Sequence, residues 1–363
     1  MKRLAIENAQ PIKEIYMKKT LCIMLGASAM ASAAWAQTNV AIYGIVDAGI
    51  VRESGGVAGS VTKLGSGIAS GSRIGFRGRE DLGGGMAAQF VLETGTNIDT
   101  GAMGQGGLLF GRQAHVGLST GAGTLTFGRQ YTPLFMAVNA VDPFLGFSMA
   151  GSANNILSEG GIRMNNTVKY AMPATGPFTA DIAYGFGEVA GDSSAGRNVG
   201  ASVGYSSGPL SIRLAYHRAN NVPAAGVAPD DGRSILLGGV YNFGVAKFHL
   251  GVQSNKGLIT INGRAIPRTD SRDVLVGVTV PFGVSSVMAS YIRKDARSAL
   301  NRDANQMAIG VTYPLSKRTD LYASYARIDN DAAAGTANFY TVGNGSDTGT
   351  GDKAFNFGIR HTF

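Results

Sequence analysis

Cysteine is nearly absent from the 363 residues: the one example, Cys22, lies in an N-terminal stretch with the features of a secretory signal. A chain that loses this stretch has no disulfide, no thiolate metal site and no cysteine nucleophile. Long apolar runs are also missing. Beyond the signal no segment reaches the roughly 18 apolar residues of a membrane-crossing helix. Histidine is scarce, and His115, His217, His249 and His361 form neither an H-E-x-x-H motif nor a facing pair four residues apart. Charged residues make up only 15%, and the net charge of +8 comes without any Lys/Arg run, so nucleic acid is not an expected partner. Gly83-Gly84-Gly85 precedes no helix and is a turn, not a phosphate cradle. Asp329-Asn330-Asp331 opens like a calcium loop, but Ala333 and Tyr340 stand where oxygen ligands are needed. No Ser/Asp/His spacing suggests a hydrolase, and no cofactor is called for.

Glycine is abundant, at 53 residues, as many strands joined by tight turns would require. Met17 opens a signal peptide: Lys18 and Lys19 are its basic region, 21–31 its apolar core and Ala34-Trp35-Ala36 its cleavage motif. The expected organisation is an upstream extension over 1–16, a signal peptide over 17–36 and one barrel over 37–363, starting at Gln37. Residues 1–36 carry five Lys/Arg and two Asp/Glu, so the mature charge is 8 − 3 = +5.

Period-two alternation dominates the rest. Val199, Ala201, Val203 and Tyr205 alternate with small or polar residues, as do Leu210, Ile212, Leu214 and Tyr216, then Phe248, Leu250 and Val252, and Met307, Ile309, Val311 and Tyr313. A strand with lipid on one side and water on the other needs this pattern. A soluble sandwich would alternate too, but the connections separate the two. Tight turns are expected at 81–85, 120–123, 173–177, 206–209, 242–244, 281–283 and 314–318. Long polar loops are expected near 52–71, 94–108, 131–162, 187–197, 219–233, 254–271, 294–304 and 329–352. Seven turns and eight loops join 16 strands, with short turns on one side as in outer-membrane barrels. Tyr170, Phe178, Tyr205, Tyr241, Phe248, Phe282, Tyr313 and Tyr322 sit beside the short turns and read as an interfacial girdle. The fold class is therefore all-β: a 16-stranded antiparallel transmembrane β-barrel.

Residues 131–163 break the alternation. They are too apolar for a solvated tail and are expected to fold into the bore as a constriction loop. Strand phase then assigns the lumen. With Ile74, Phe76 and Gly78 facing lipid, Arg73, Arg77 and Arg79 face inward. With Phe90 and Leu92 outward, Glu93 faces inward. Arg112 is expected inward because lipid would penalise it by about 2–4 kcal/mol. This turns Gln113 and His115 outward, where a neighbouring subunit would cover them. Arg163 follows the loop directly, and Asp142 is available as a counter-charge. Arg129 is expected in the lumen with Arg77 and Arg79.

Several blocks resemble the trimeric general porins of β-proteobacteria: Ser72-Arg-Ile-Gly-Phe-Arg-Gly-Arg-Glu-Asp-Leu-Gly-Gly-Gly85, Phe127-Gly-Arg129, Gly161-Ile-Arg-Met-Asn-Asn166, Tyr241-Asn-Phe-Gly-Val-Ala-Lys247, Leu315-Ser-Lys-Arg-Thr319 and Gly358-Ile-Arg-His-Thr-Phe363. The resemblance implies a homotrimer in the outer membrane whose third outer loop narrows the pore. It also implies a constriction cluster at Arg73, Arg112 and Arg163 with Glu93 opposite, passing small hydrophilic solutes with a preference for anions. A channel specific for one small anion, such as phosphate or an organic acid, is the alternative. An adhesin barrel would have a plugged bore, which the inward arginines disfavour.

Overall fold

The structure, a computed structural model, describes residues 39–146, 148–151, 155–157, 161–220, 222, 231–261, 264–298, 302–331 and 339–363. The extension, the signal peptide and the start at Gln37 lie outside the described residues. The chain runs through β1 (Asn39–Gly56), β2 (Gly59–Ser66), β3 (Arg73–Gly83), β4 (Met86–Gly95), β5 (Gln113–Thr120) and β6 (Gly123–Tyr131). Helix α1 (Pro133–Val141) follows, then β7 (Arg163–Met164), β8 (Thr167–Ala171), β9 (Phe178–Gly185), β10 (Asn198–Ser207), β11 (Leu210–Asn220) and β12 (Asp231–Asn242). The remaining strands are β13 (Lys247–Ile261), β14 (Arg264–Phe282), β15 (Ser285–Ala296), β16 (Asp303–Pro314), β17 (Thr319–Asp331) and β18 (Lys353–Thr362).

All pairings are antiparallel, and β1 pairs with β18 on one side and with β2 and β3 on the other, so the sheet closes. β2 and β3 cover successive halves of β1, and β7 and β8 successive parts of β6. Each of these two pairs is one wall strand with a break, which makes a closed barrel of 16. Closure leaves no edge of unpaired amides facing hydrocarbon. The terminal residue helps seal it: Phe363 and Gly44 exchange two backbone hydrogen bonds of 3.1 Å. The Phe363 ring lies where a side chain on Gly44 would be, only 2.4 Å from an ideal Cβ.

All seven tight turns fall where the sequence places them. Two expected long loops are shorter. Strands β1 and β2 extend to a tight hairpin at 57–58, and β13 and β14 continue through most of 254–271. Backbone pairing continues there, with Glu53 opposite Val61 and Thr260 opposite Ala265. The apolar sets face outward as expected: Val203, Leu214, Leu237, Leu250, Met307, Ile309 and Phe357 are all exposed. Tyr322 is the exception to the girdle, since it points inward and is buried. Its strand neighbour Leu321 holds the outward position.

The stretch after β6 is not structureless. Thr132 caps α1 by accepting from the Phe135 amide at 3.0 Å, and Pro133 sits in the first turn, where its missing N–H costs nothing. Leu134, Phe135, Ala137 and Val138 pack on Ala215 and Leu236 of the inner wall. Burying each large apolar side chain contributes up to about 1.5–3 kcal/mol. Wall glycines make room: an ideal Cβ on Gly238 would lie 2.8 Å from Val141, one on Gly277 2.8 Å from Pro143 and one on Gly310 2.8 Å from Phe144. The loop thus lies against one side of the bore in a track of missing side chains. Polar groups fix its far end. Gln306, Lys294 and Gln253 donate to the carbonyls of Ala150, Ile156 and Leu157 at 2.9, 3.1 and 2.8 Å. Lys294 and Asp273 are both fully buried and ion-paired at 3.2 Å beneath it.

A leucine at Gly277 should push Pro143 off the wall and into the bore. We expect Gly277→Leu to assemble normally and to lower single-channel conductance; unchanged conductance would mean that the loop does not rely on this seat.

Candidate functional site

The break between β2 and β3 forms an inward arch over residues 67–72. Asp47 of β1 organises it. Its buried carboxylate accepts from three successive amides, those of Ile68, Ala69 and Ser70, at 3.2, 3.0 and 2.7 Å, and from the Tyr322 hydroxyl at 2.5 Å. Its carbonyl accepts from the Gly67 amide at 2.9 Å and the Ser72 hydroxyl at 3.0 Å. The Met149 amide of the inward loop donates in turn to the Ile68 carbonyl at 2.8 Å. The last outer connection also reaches in: the Gly343 amide donates to Asn155 at 3.1 Å, and Asn344 donates to the Ser66 carbonyl at 3.2 Å. Thr350 bonds Glu53 through its amide and hydroxyl at 2.9 and 2.7 Å, and Lys63 bridges Glu53 and Asp347. Three chain segments therefore meet inside the barrel.

Arg73 follows the arch and folds back on it, donating from Nε to the Gly71 carbonyl at 2.8 Å and from an Nη to the Ser70 hydroxyl at 2.9 Å. Arg112 is only 2% exposed. Its Nε meets Glu93 at 2.8 Å, and another nitrogen donates to the Tyr131 hydroxyl at 2.8 Å. Tyr43 donates to the second Glu93 oxygen at 2.9 Å. Arg163 donates to the Arg112 carbonyl at 2.9 Å and lies 4.9 Å over the Tyr131 ring. Arg112 and Arg163 share a cleft with Ser72, Thr96 and Ser346. The three arginines and Glu93 are thus brought together.

Arg77 and Arg79 line the same inward face further down β3, with Arg77 lying 5.0 Å over the Tyr43 ring. Three expected placements differ. Gln113 and His115 face inward, because they stand opposite Glu93 and Val91, while Val116 takes the lipid side. Arg112 precedes the first ladder residue of β5, so strand phase could not be counted through it. Arg129 stands opposite Ala114, in phase with outward Phe127, and donates to the Gly111 carbonyl at 2.8 Å and to Asn165. It ties the wall rather than lining the lumen. Asp142 fixes the turn after α1: its carboxylate accepts from the Phe144 and Gly146 amides at 2.9 and 3.1 Å. Asp47, Tyr43 and Tyr131 were not singled out from the sequence. The first two share the odd, inward phase of β1, which was the available signal.

A closed 16-stranded barrel with an apolar exterior, a charged lumen and an inward loop defines a transmembrane channel protein. Residues 22–333 match the Gram-negative porin family model, and the chain belongs to that family. It is 36% identical to outer membrane porin protein 32 of Delftia acidovorans, over 96% of this chain and all of that one. It is 32% identical to an outer membrane porin protein of Bordetella pertussis, with 96% of this chain covered and all of that one. Among solved structures, the anion-selective porin from Comamonas acidovorans superposes with a TM-score of 0.75 at 32% identity, covering 90% of this chain and all of that one. A Salmonella typhi OmpF structure shares the fold, at a TM-score of 0.68 and 18% identity over 90% of this chain and 98% of that one. The protein is an outer-membrane porin, a channel for passive diffusion of small hydrophilic solutes and not an enzyme.

Removing one partner of a buried ion pair strands the other. Glu93→Gln should cost about 3–5 kcal/mol, seen as a lower melting temperature of the folded barrel, whereas Glu93→Gln/Arg112→Gln should recover part of the loss. Equal melting of wild type and Glu93→Gln would contradict a buried pair.

Proposed function

We propose that the channel prefers anions, and that Arg73, Arg112 and Arg163 with Glu93 form its charge filter. The observation that carries this is the asymmetry of compensation. Arg112 is balanced by Glu93, but among the described residues no carboxylate lies within ion-pair distance of Arg73. Arg73 therefore brings net positive charge to the narrowed bore, and Arg163 adds to the field. The anion-selective relative from Comamonas acidovorans supports the same reading. Arginine suits this role because it stays charged at every physiological pH.

Two unit charges about 5 Å apart interact by roughly 0.8 kcal/mol in water and several-fold more at lower dielectric. Since about 1.4 kcal/mol is a tenfold preference, a bias of several-fold to tens-fold for chloride over potassium is expected at low salt. The bias should shrink as salt rises, because the screening length falls from about 10 Å at 0.1 M to about 3 Å at 1 M. The test is the reversal potential across a potassium chloride gradient. Wild type should be anion-selective and Arg73→Glu should lose or invert that sign; a cation-selective wild type would overturn the reading. A channel specific for one anion would instead show conductance that saturates with that solute alone.

The second part is a homotrimer joined through the wall around β1–β6. Arg129 favours it, because a guanidinium on the outward face is costly against lipid and is relieved by a protein neighbour. Cross-linking in outer membranes should yield trimers; a monomer alone would count against it.

A further inference from the structure

The Asp47 carboxylate is an acid inside a channel whose proposed preference is for anions. By field alone it should oppose that preference. Its contacts suggest the reverse. Three consecutive amides of the arch, Ile68, Ala69 and Ser70, converge on its two oxygens, and the Tyr322 hydroxyl from the far side of β18 closes the shell. The carboxylate is fully buried, so its charge is met by aligned amide dipoles and a hydroxyl rather than by the solution in the bore. The same residue holds the ends of the arch. Its carbonyl takes the Gly67 amide, and its carbonyl and amide both engage the Ser72 hydroxyl, at 3.0 and 3.1 Å. The arch without Asp47 would carry three amides, one buried at Ile68 and two half-buried at Ala69 and Ser70, with no acceptor, which a folded chain avoids by changing conformation.

The arch supplies the two acceptors of the Arg73 side chain, the Gly71 carbonyl and the Ser70 hydroxyl. It also supplies the Ile68 carbonyl that receives the Met149 amide of the inward loop. Asp47 is thus connected through the arch both to the Arg73 cation and to the loop that narrows the bore. We propose that Asp47 is the positioning residue of the charge filter: by filling the amides of the arch it fixes where Arg73 stands, so that a negative residue sustains the anion preference. This rests on the preference proposed above for Arg73.

The two effects of Asp47 have opposite signs, so one experiment separates them. Reversal potentials across a potassium chloride gradient give the chloride-to-potassium permeability ratio for wild type, Asp47→Asn, Asp47→Glu, Arg73→Gln and the Asp47→Asn/Arg73→Gln double variant, each confirmed as a folded barrel by heat-modifiable migration. Asp47→Asn should lower the ratio about twofold or more, and the double variant should fall no further than Arg73→Gln, since the two residues act through one arch. Asp47→Glu keeps the charge but displaces the carboxylate by a methylene, and it too should lower the ratio; it decides the matter where Asp47→Asn does not assemble. A ratio that rises in Asp47→Asn, that is unchanged in Asp47→Glu, or that falls additively in the double variant overturns the positioning role. An unchanged ratio in Arg73→Gln alone would instead overturn the reading of Arg73 itself.

Discussion

Inside a lipid layer a backbone amide has no water to turn to, and this constraint governs the whole molecule. Every strand must pair on both sides, so the sheet closes, and the terminal Phe363 seals the last seam against Gly44. Closure divides the side chains into two populations. Alternate positions face hydrocarbon and are apolar. Most of the remaining polarity goes inward, where it lines a water-filled bore. The interior is therefore where a porin can place charge, and where charge must find partners.

Here the partners also narrow the channel. A bare β-barrel of this strand number would leave a wide opening, so selectivity requires chain brought in from the rim. An inward chain segment exposes its own amides and carbonyls and must satisfy them on the wall. Gln253, Lys294 and Gln306 do this for the far end of the loop, Asp142 for its turn and Asp47 for the arch. The apolar part of the loop has the opposite need and finds it in wall glycines, where Val141, Pro143 and Phe144 press on bare backbone. The same inner surface thus holds a loop in place with glycines and buried polar residues, and presents arginines on the side the loop leaves open.

The barrel was legible in the sequence because it is written in periods. Alternation gives strands, turn chemistry gives hairpins, and the count gives 16. The inward placement of Arg73 and Glu93 was legible because their strand phase could be counted, and that of Arg163 because it follows the inward loop directly. Legibility failed where phase breaks. Counting inward from Arg112 put Gln113 and His115 on the wrong face, because Arg112 stands before the ladder begins. Tyr322 beside a short turn resembled a girdle residue, but a tyrosine at an inward position can instead serve a buried carboxylate. Helix α1 was hidden in a run of apolar residues whose only mark was Thr132-Pro133 at its start. The inward phase of Asp47 could be counted but its role could not, because that depends on three amides more than twenty residues away, a relation that no local pattern encodes.

The central claim is that anions cross the narrowed bore along its arginine-lined face. Anomalous diffraction from crystals soaked in bromide reads this directly. Bromide should concentrate in contact with the Arg73 guanidinium and along β3 toward Arg77. Bromide spread evenly through the bore, or gathered against the wall that carries the inward loop, would contradict the account.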